Sequence, residues 1–205
     1  MTDLAGALKE ELVGHDHQHV TSTGISNEKL AMWTFLGSEC LLFGGLISTF
    51  ILYKTRAADG ETPHELYDIL FTSISSFVLL MSSLTMVLAV SAIQRKDLRA
   101  MRGWLLTTAL LGVVFISGQV YEFTEFLNEG YGFTHSPAWS AFYTLTGFHG
   151  VHVTLGIVML LSTAALSLRG HVGPHNPESV EIVGLYWHFV DVVWVVIFTV
   201  VYLIK

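Results

Sequence analysis

The apolar residues of this chain come in long, nearly unbroken blocks separated by short polar stretches. The pattern predicts five helices, at Leu30–Tyr53, Ile69–Ile93, Trp104–Leu127, Trp139–Leu168 and Ile182–Ile204. Each block meets the about 20 helical residues needed to cross a hydrocarbon core of ~30 Å. The alternating pattern of a barrel strand is absent from these runs, and lipid cannot satisfy loose backbone groups, so helices are the reading. The fourth block is the longest, and a run of ~30 residues implies a tilted or protruding helix. Trp33, Tyr53, Trp104, Trp139, Trp187 and Tyr202 fall near the block ends, where interfacial aromatics are expected. The fold class is therefore all-α, an integral membrane bundle of five transmembrane helices spanning residues 30–205. A polar, flexible segment, residues 1–29, precedes it.

Composition agrees, with 52% of the 205 residues apolar and 13% charged. A net charge of -7 gives no basic surface for a nucleic acid, and that class of partner drops out. No basic segment followed by a short apolar core and a cleavage site stands at the start, so the first helix is expected to act as the insertion signal. The lone Cys40, inside an apolar run, is expected to pack as a small hydrophobe. Lysine and arginine set the orientation. Lys9, Lys29, Arg95, Lys96, Arg99, Arg102 and Arg169 fall on one side of the membrane, and Lys54, Arg56 and Lys205 on the other. The positive-inside rule then places the N-terminus in the cytoplasm and the C-terminus outside.

Ionisable groups inside spans cost several kcal/mol and are functional candidates by default. At 1.5 Å per residue Glu39 sits ~13 Å from the inner end of the first span, and Asp191 at a similar depth in the fifth. His149 and His152 fall near the same layer, and Glu122 and Glu125 lie nearer the outer end of the third span. His149 and His152 share a face at a spacing of three, as do His188 and Asp191. Two readings stand side by side for these groups: hydrogen-bonding glue between helices, or a path for protons or substrate. A carrier following Glu39, Asp191 and the histidines competes on these grounds alone. A di-iron bundle needs Glu-x-x-His motifs on two helices. The chain has one, Glu61 to His64, in a loop beside Pro63, so no metal is assigned to it. The tail segment His15-Asp-His-Gln-His19 is read as solvated. Gly44, Ser48, Gly112, Gly118, Gly147, Gly150 and Gly156 are small residues that permit close helix approach, and the second span is rich in serine and threonine.

Two stretches carry a resemblance: Thr146-Gly-Phe-His-Gly-Val-His-Val153 and Tyr186-Trp-His-Phe-Val-Asp-Val-Val-Trp194. Gly37-Ser-Glu-Cys-Leu-Leu-Phe43 and Gln119-Val-Tyr-Glu-Phe123 add to it. Together they resemble subunit III of the haem-copper terminal oxidases, in its short, five-helix bacterial form. The resemblance implies a non-catalytic subunit without haem or copper of its own, those cofactors lying in partner subunits. It implies packing against subunit I, with subunit II in the same complex, in the bacterial plasma membrane. It also implies bound phospholipid in a cleft near Glu39, and support of proton uptake and catalytic lifetime during oxygen reduction. Glu122, His149, His152, His188 and Asp191 are read as intramembrane packing residues on the helix-glue argument above, and the resemblance implies that no residue is catalytic. Cytochrome c and quinol both remain open as electron donor.

Overall fold

The computed structural model describes residues 26–56, 69–174 and 176–204. Over these the chain forms α1 (Asn27–Lys54), α2 (Ile69–Gln94), α3 (Leu98–Asn128), α4 (Pro137–Leu168) and α5 (Glu178–Phe198). A π-helical turn, Thr199–Leu203, continues α5. All five helices, the last with its extension, are long and apolar enough to cross a bilayer.

The boundaries differ from the hydropathy blocks mostly at polar ends. α3 begins six residues earlier than Trp104, because Asp97 caps it by accepting from the amides of Arg99 (3.1 Å) and Ala100 (3.0 Å). α5 begins at Glu178, four residues before the apolar run, with Glu178 and Glu181 in the first turn, where carboxylates complement the helix dipole. α1 begins at Asn27, inside the segment expected to be flexible. Ser26 caps it through the Lys29 amide at 3.3 Å. A helix needs hydrogen bonds and a cap, and neither requires hydrophobicity at the membrane surface. Lys96, at φ 63°, closes the tight turn between α2 and α3. Pro137 stands at the first position of α4 behind the cap Ser136. The tail motif His15–His19 and the loop pair Glu61 and His64 lie outside the described residues.

Apolar residues both fill the core and cover the outside, and polar groups are buried among the core residues. Leu41, Leu70, Leu110 and Val151 point outward, while Thr72, Ser82, Gln119, Glu122, His149 and Asp191 are buried. α2 and α3 form the most intimate hairpin, and α5 lies against α1, α2 and α4. α1 packs on α4 and α5 rather than on its chain neighbour α2. Only Leu36, Phe43 and Phe50 of α1 are buried, one residue every seven, so a single narrow seam holds it. Cys40, on the same helix, is exposed instead of packed, because it lies off that seam.

Three of the aromatics assigned to the membrane interface are core residues. Trp139, Trp187 and Tyr202 are each at most 2% exposed, while Trp33 and Tyr53 do face outward. The Trp187 ring fits a slot between glycines: a Cβ added at Gly112 would lie 2.6 Å from it and one at Gly156 2.9 Å. Its indole N–H donates to Ser82 Oγ of α2 at 2.9 Å. One turn pair further on, Trp194 donates to Ser76 Oγ at 2.9 Å, a second rung between antiparallel α2 and α5. A tryptophan with its N–H satisfied inside has no reason to seek the interface. Of the other small residues, Gly118 abuts Ser75 and Gly150 abuts Gln119, whereas Gly44 and Gly147 approach nothing within 4 Å.

Candidate functional site

The predicted polar residues gather into three separate groups. The first joins α1 to α4. Glu39 Oε2 lies 3.1 Å from His152 Nε2, with 14% and 11% of the two side chains exposed. His152 Nδ1 lies 2.7 Å from the Phe148 carbonyl, and since a carbonyl only accepts, Nδ1 must carry a proton. The Nε2 to Glu39 contact then needs a proton of its own, as carboxylic acid to imidazole or imidazolium to carboxylate. Either way one proton lies between the two side chains. The Tyr186 hydroxyl donates to the His152 carbonyl at 3.0 Å and fixes that turn of α4 from α5. Phe43, one turn above Glu39, covers the pair edge-on to the His152 ring at 5.1 Å.

His149 shares its helix face with His152 but not its partner. It is fully buried, stacked on Trp194 at 4.9 Å and edge-on to Phe115 at 6.0 Å. Neither of its ring nitrogens has a hydrogen-bond partner among the described residues. The i, i+3 spacing therefore places two histidines in one layer without making them one site.

The second group joins α2 to α5. Ser83 Oγ donates to Asp191 Oδ2 at 2.7 Å and lies 3.2 Å from His188 Nδ1. His188 and Asp191 are brought together as their spacing suggests, through Ser83, one of the serines of the hydroxyl-rich second span. The third group centres on Glu122 of α3, which accepts from Thr72 of α2 at 3.0 Å and from the Tyr202 hydroxyl at 3.1 and 3.2 Å. Gln119, one turn before it, donates to the Thr146 carbonyl of α4 at 2.7 Å. Thr72 and Ser83 come from the second span, whose many hydroxyls mark it as able to bond across helices, whereas Tyr202 reads from the sequence as an interfacial aromatic and not as a partner of Glu122.

Polar ties also anchor both ends of α1. Lys29 meets Glu181 of α5 at 2.7 Å, and Ser26 hydrogen-bonds Glu178. At the far end Lys54 Nζ donates to the carbonyls of Val200 (3.2 Å), Val201 (3.5 Å) and Ile204. Its charge thus sits where two helices end, the side of the dipole that favours a cation. Above Glu39, α1 and α4 border an open cleft of about 500 Å³ lined by Leu46, Thr49, Tyr53, His135, Ser140 and Thr144. Among the described residues no three His, Cys, Asp or Glu side chains converge as a metal site.

Glu39, Glu122 and Asp191 are each engaged by a side chain of another helix. The family model for cytochrome c oxidase subunit III matches residues 7–205. The chain belongs to this family. Among its relatives, cytochrome c oxidase subunit 3 of Bacillus sp. (strain PS3) is 40% identical over 177 residues, 86% of each chain. Quinol oxidase subunit 3 of Bacillus subtilis (strain 168) is 40% identical over 174 residues, 85% of each. Cytochrome c oxidase subunit 3 of Alkalihalophilus pseudofirmus is 37% identical over 201 residues, 98% of each. The subunit III chain is thus a multi-span membrane component of a haem-copper oxidase complex and associates with other oxidase subunits.

Proposed function

We propose that this chain is the metal-free subunit III of a proton-pumping haem-copper oxidase of the cytochrome c type. In this reading it leans on subunit I, beside subunit II, and haem and copper stay in those partners. It holds phospholipid in the α1/α4 cleft above Glu39 and sustains proton uptake and catalytic lifetime while oxygen is reduced to water. Its N-terminus is cytoplasmic and its C-terminus outside. The observation that carries this reading is the Glu39–His152 contact at 3.1 Å, which joins the acidic helix to the Thr146–Val153 stretch. A stand-alone carrier would need polar groups free to bind cargo, whereas Glu39, Glu122 and Asp191 are each committed to another helix.

A quinol-oxidising complex is the second reading, supported by the equal identity, 40%, to the Bacillus subtilis quinol oxidase subunit. The test is mild solubilisation and affinity purification through this chain. Haem- and copper-bearing companions that oxidise reduced cytochrome c are the expected result. Oxidation of a quinol alone selects the second reading, and a lone protein without haem overturns both.

A further inference from the structure

A second groove, of about 420 Å³, opens between α2 and α5 at the end where α1 and α5 begin. Val87, Val90 and Leu185 wall it, and His188 closes its deep end. Gly184 forms the floor, where a Cβ would come within 3.2 Å of Met86. Its mouth carries Lys29, Gln94 and Glu181. From Glu181 to His188 the helix rises about 10 Å, inside the ~15 Å of one leaflet's hydrocarbon. The apolar part of the groove therefore faces acyl chains and its mouth faces headgroups.

The mouth offers both signs of charge at once. Lys29 and Glu181, in contact at 2.7 Å, keep 32% and 27% of their side chains exposed. An ammonium has three donors, and Glu181 takes one, leaving two for phosphate oxygens. The Glu181 carboxylate accepts from Lys29 and, at 3.5 Å, from Gln94, and still has lone pairs for a second cation. One turn away Glu178 adds a further negative charge. An anionic headgroup alone would face two carboxylates, and a cation alone would face Lys29. A headgroup with phosphate and primary ammonium a few ångströms apart complements the whole mouth.

We propose that the α2/α5 groove binds one aminophospholipid of the phosphatidylethanolamine type. Its phosphate rests on Lys29, its ammonium on Glu181, and one acyl chain lies between Val87, Val90 and Leu185. The proposal rests on the chain standing in a bilayer and not on the donor of the oxidase. It concerns a different groove from the α1/α4 cleft.

The test uses the intact oxidase complex in nanodiscs of equimolar phosphatidylethanolamine and phosphatidylglycerol, stripped with detergent, with retained lipid counted by native mass spectrometry. Wild type should retain phosphatidylethanolamine over phosphatidylglycerol by about fivefold, the size expected of partly exposed charge contacts. The double variant Lys29→Gln with Glu181→Gln should bring that ratio to about one. Leu185→Trp, which fills the groove, should lose one retained lipid per subunit III. Haem content per subunit III checks assembly of each variant and reads the oxidase assignment separately. Equal retention of both lipids by wild type overturns the proposal even if no variant assembles. So does a preference unchanged in the double variant, or a disulfide from Val87→Cys to a helix of another oxidase subunit.

Discussion

Alanine at Gly112 places a methyl group where the Trp187 ring already is. The new Cβ would stand 2.6 Å from Cη2 of that ring and 3.1 Å from Ile157 Cγ1, about 1 Å inside the 3.5–4.0 Å of a comfortable carbon contact. The ring cannot simply retreat. Its N–H is held by Ser82 at 2.9 Å, and its other side meets Gly156, where a Cβ would be 2.9 Å away. Overpacking of this kind costs about 1–3 kcal/mol, and the helix propensity gained on replacing glycine returns about 1 kcal/mol. Approaches under 3.0 Å at both glycines put the cost in the upper part of that range, about 2–3 kcal/mol, so Gly112→Ala should destabilise the chain by a net of roughly 1–2 kcal/mol, and Gly156→Ala by a similar amount. Gly44→Ala and Gly147→Ala, with nothing within 4 Å of the added atom, serve as controls and should leave the chain's own stability unchanged or slightly raised. The readout is the SDS midpoint at which the chain becomes protease-sensitive within the purified complex. Trp187→Phe, which trims the clashing ring edge, should recover part of the Gly112→Ala loss in a double-mutant cycle. A Gly112→Ala protein as stable as wild type, or a cycle with no coupling, would refute the slot.

Three further outcomes follow from the polar contacts. Glu39→Ala strands His152 Nε2 and should cost about 1–3 kcal/mol on the same assay, whereas Glu39→Gln, whose amide can still donate, should stay close to wild type; equal losses would remove the shared-proton account. Trp194→Phe and Ser76→Ala should couple by about 0.6 kcal/mol, typical of a hydrogen bond between membrane helices, and strict additivity would show that the Trp194–Ser76 rung contributes nothing. Lys54→Met frees the carbonyls of Val200, Val201 and Ile204, so amide exchange through Thr199–Leu203 should quicken by about fivefold for roughly 1 kcal/mol lost, and unchanged exchange would mean the lysine is not holding that end.

Five blocks of apolar residues were enough to number the helices, because a bilayer demands length and hydrophobicity that little else in a sequence imitates. The same signal was blind at Leu98–Gly103 and at Glu178–Glu181, where helix continues through polar surface residues held by Asp97 and by the dipole. It was misled at Trp187, Trp139 and Tyr202, since an aromatic near the end of an apolar run looks identical whether it meets headgroups or a glycine slot. The site residues were legible as types and not as pairs. Asp191 and His188 were linked by their spacing. Glu39 and His152 stand 113 positions apart on helices whose mutual rotation no periodicity reveals.

The fastening of α1 has a consequence for how the chain is made. Glu39, Lys29 and Lys54 find their partners on α4 and α5, so α1 has none of these ties until the fourth and fifth helices have been made. It must wait in the bilayer as a solitary rod carrying an unpaired carboxyl, while α2 and α3 zip together beside it. A nascent chain cut before Glu178 would hold the first helix through α4 alone, with neither lysine at its ends engaged.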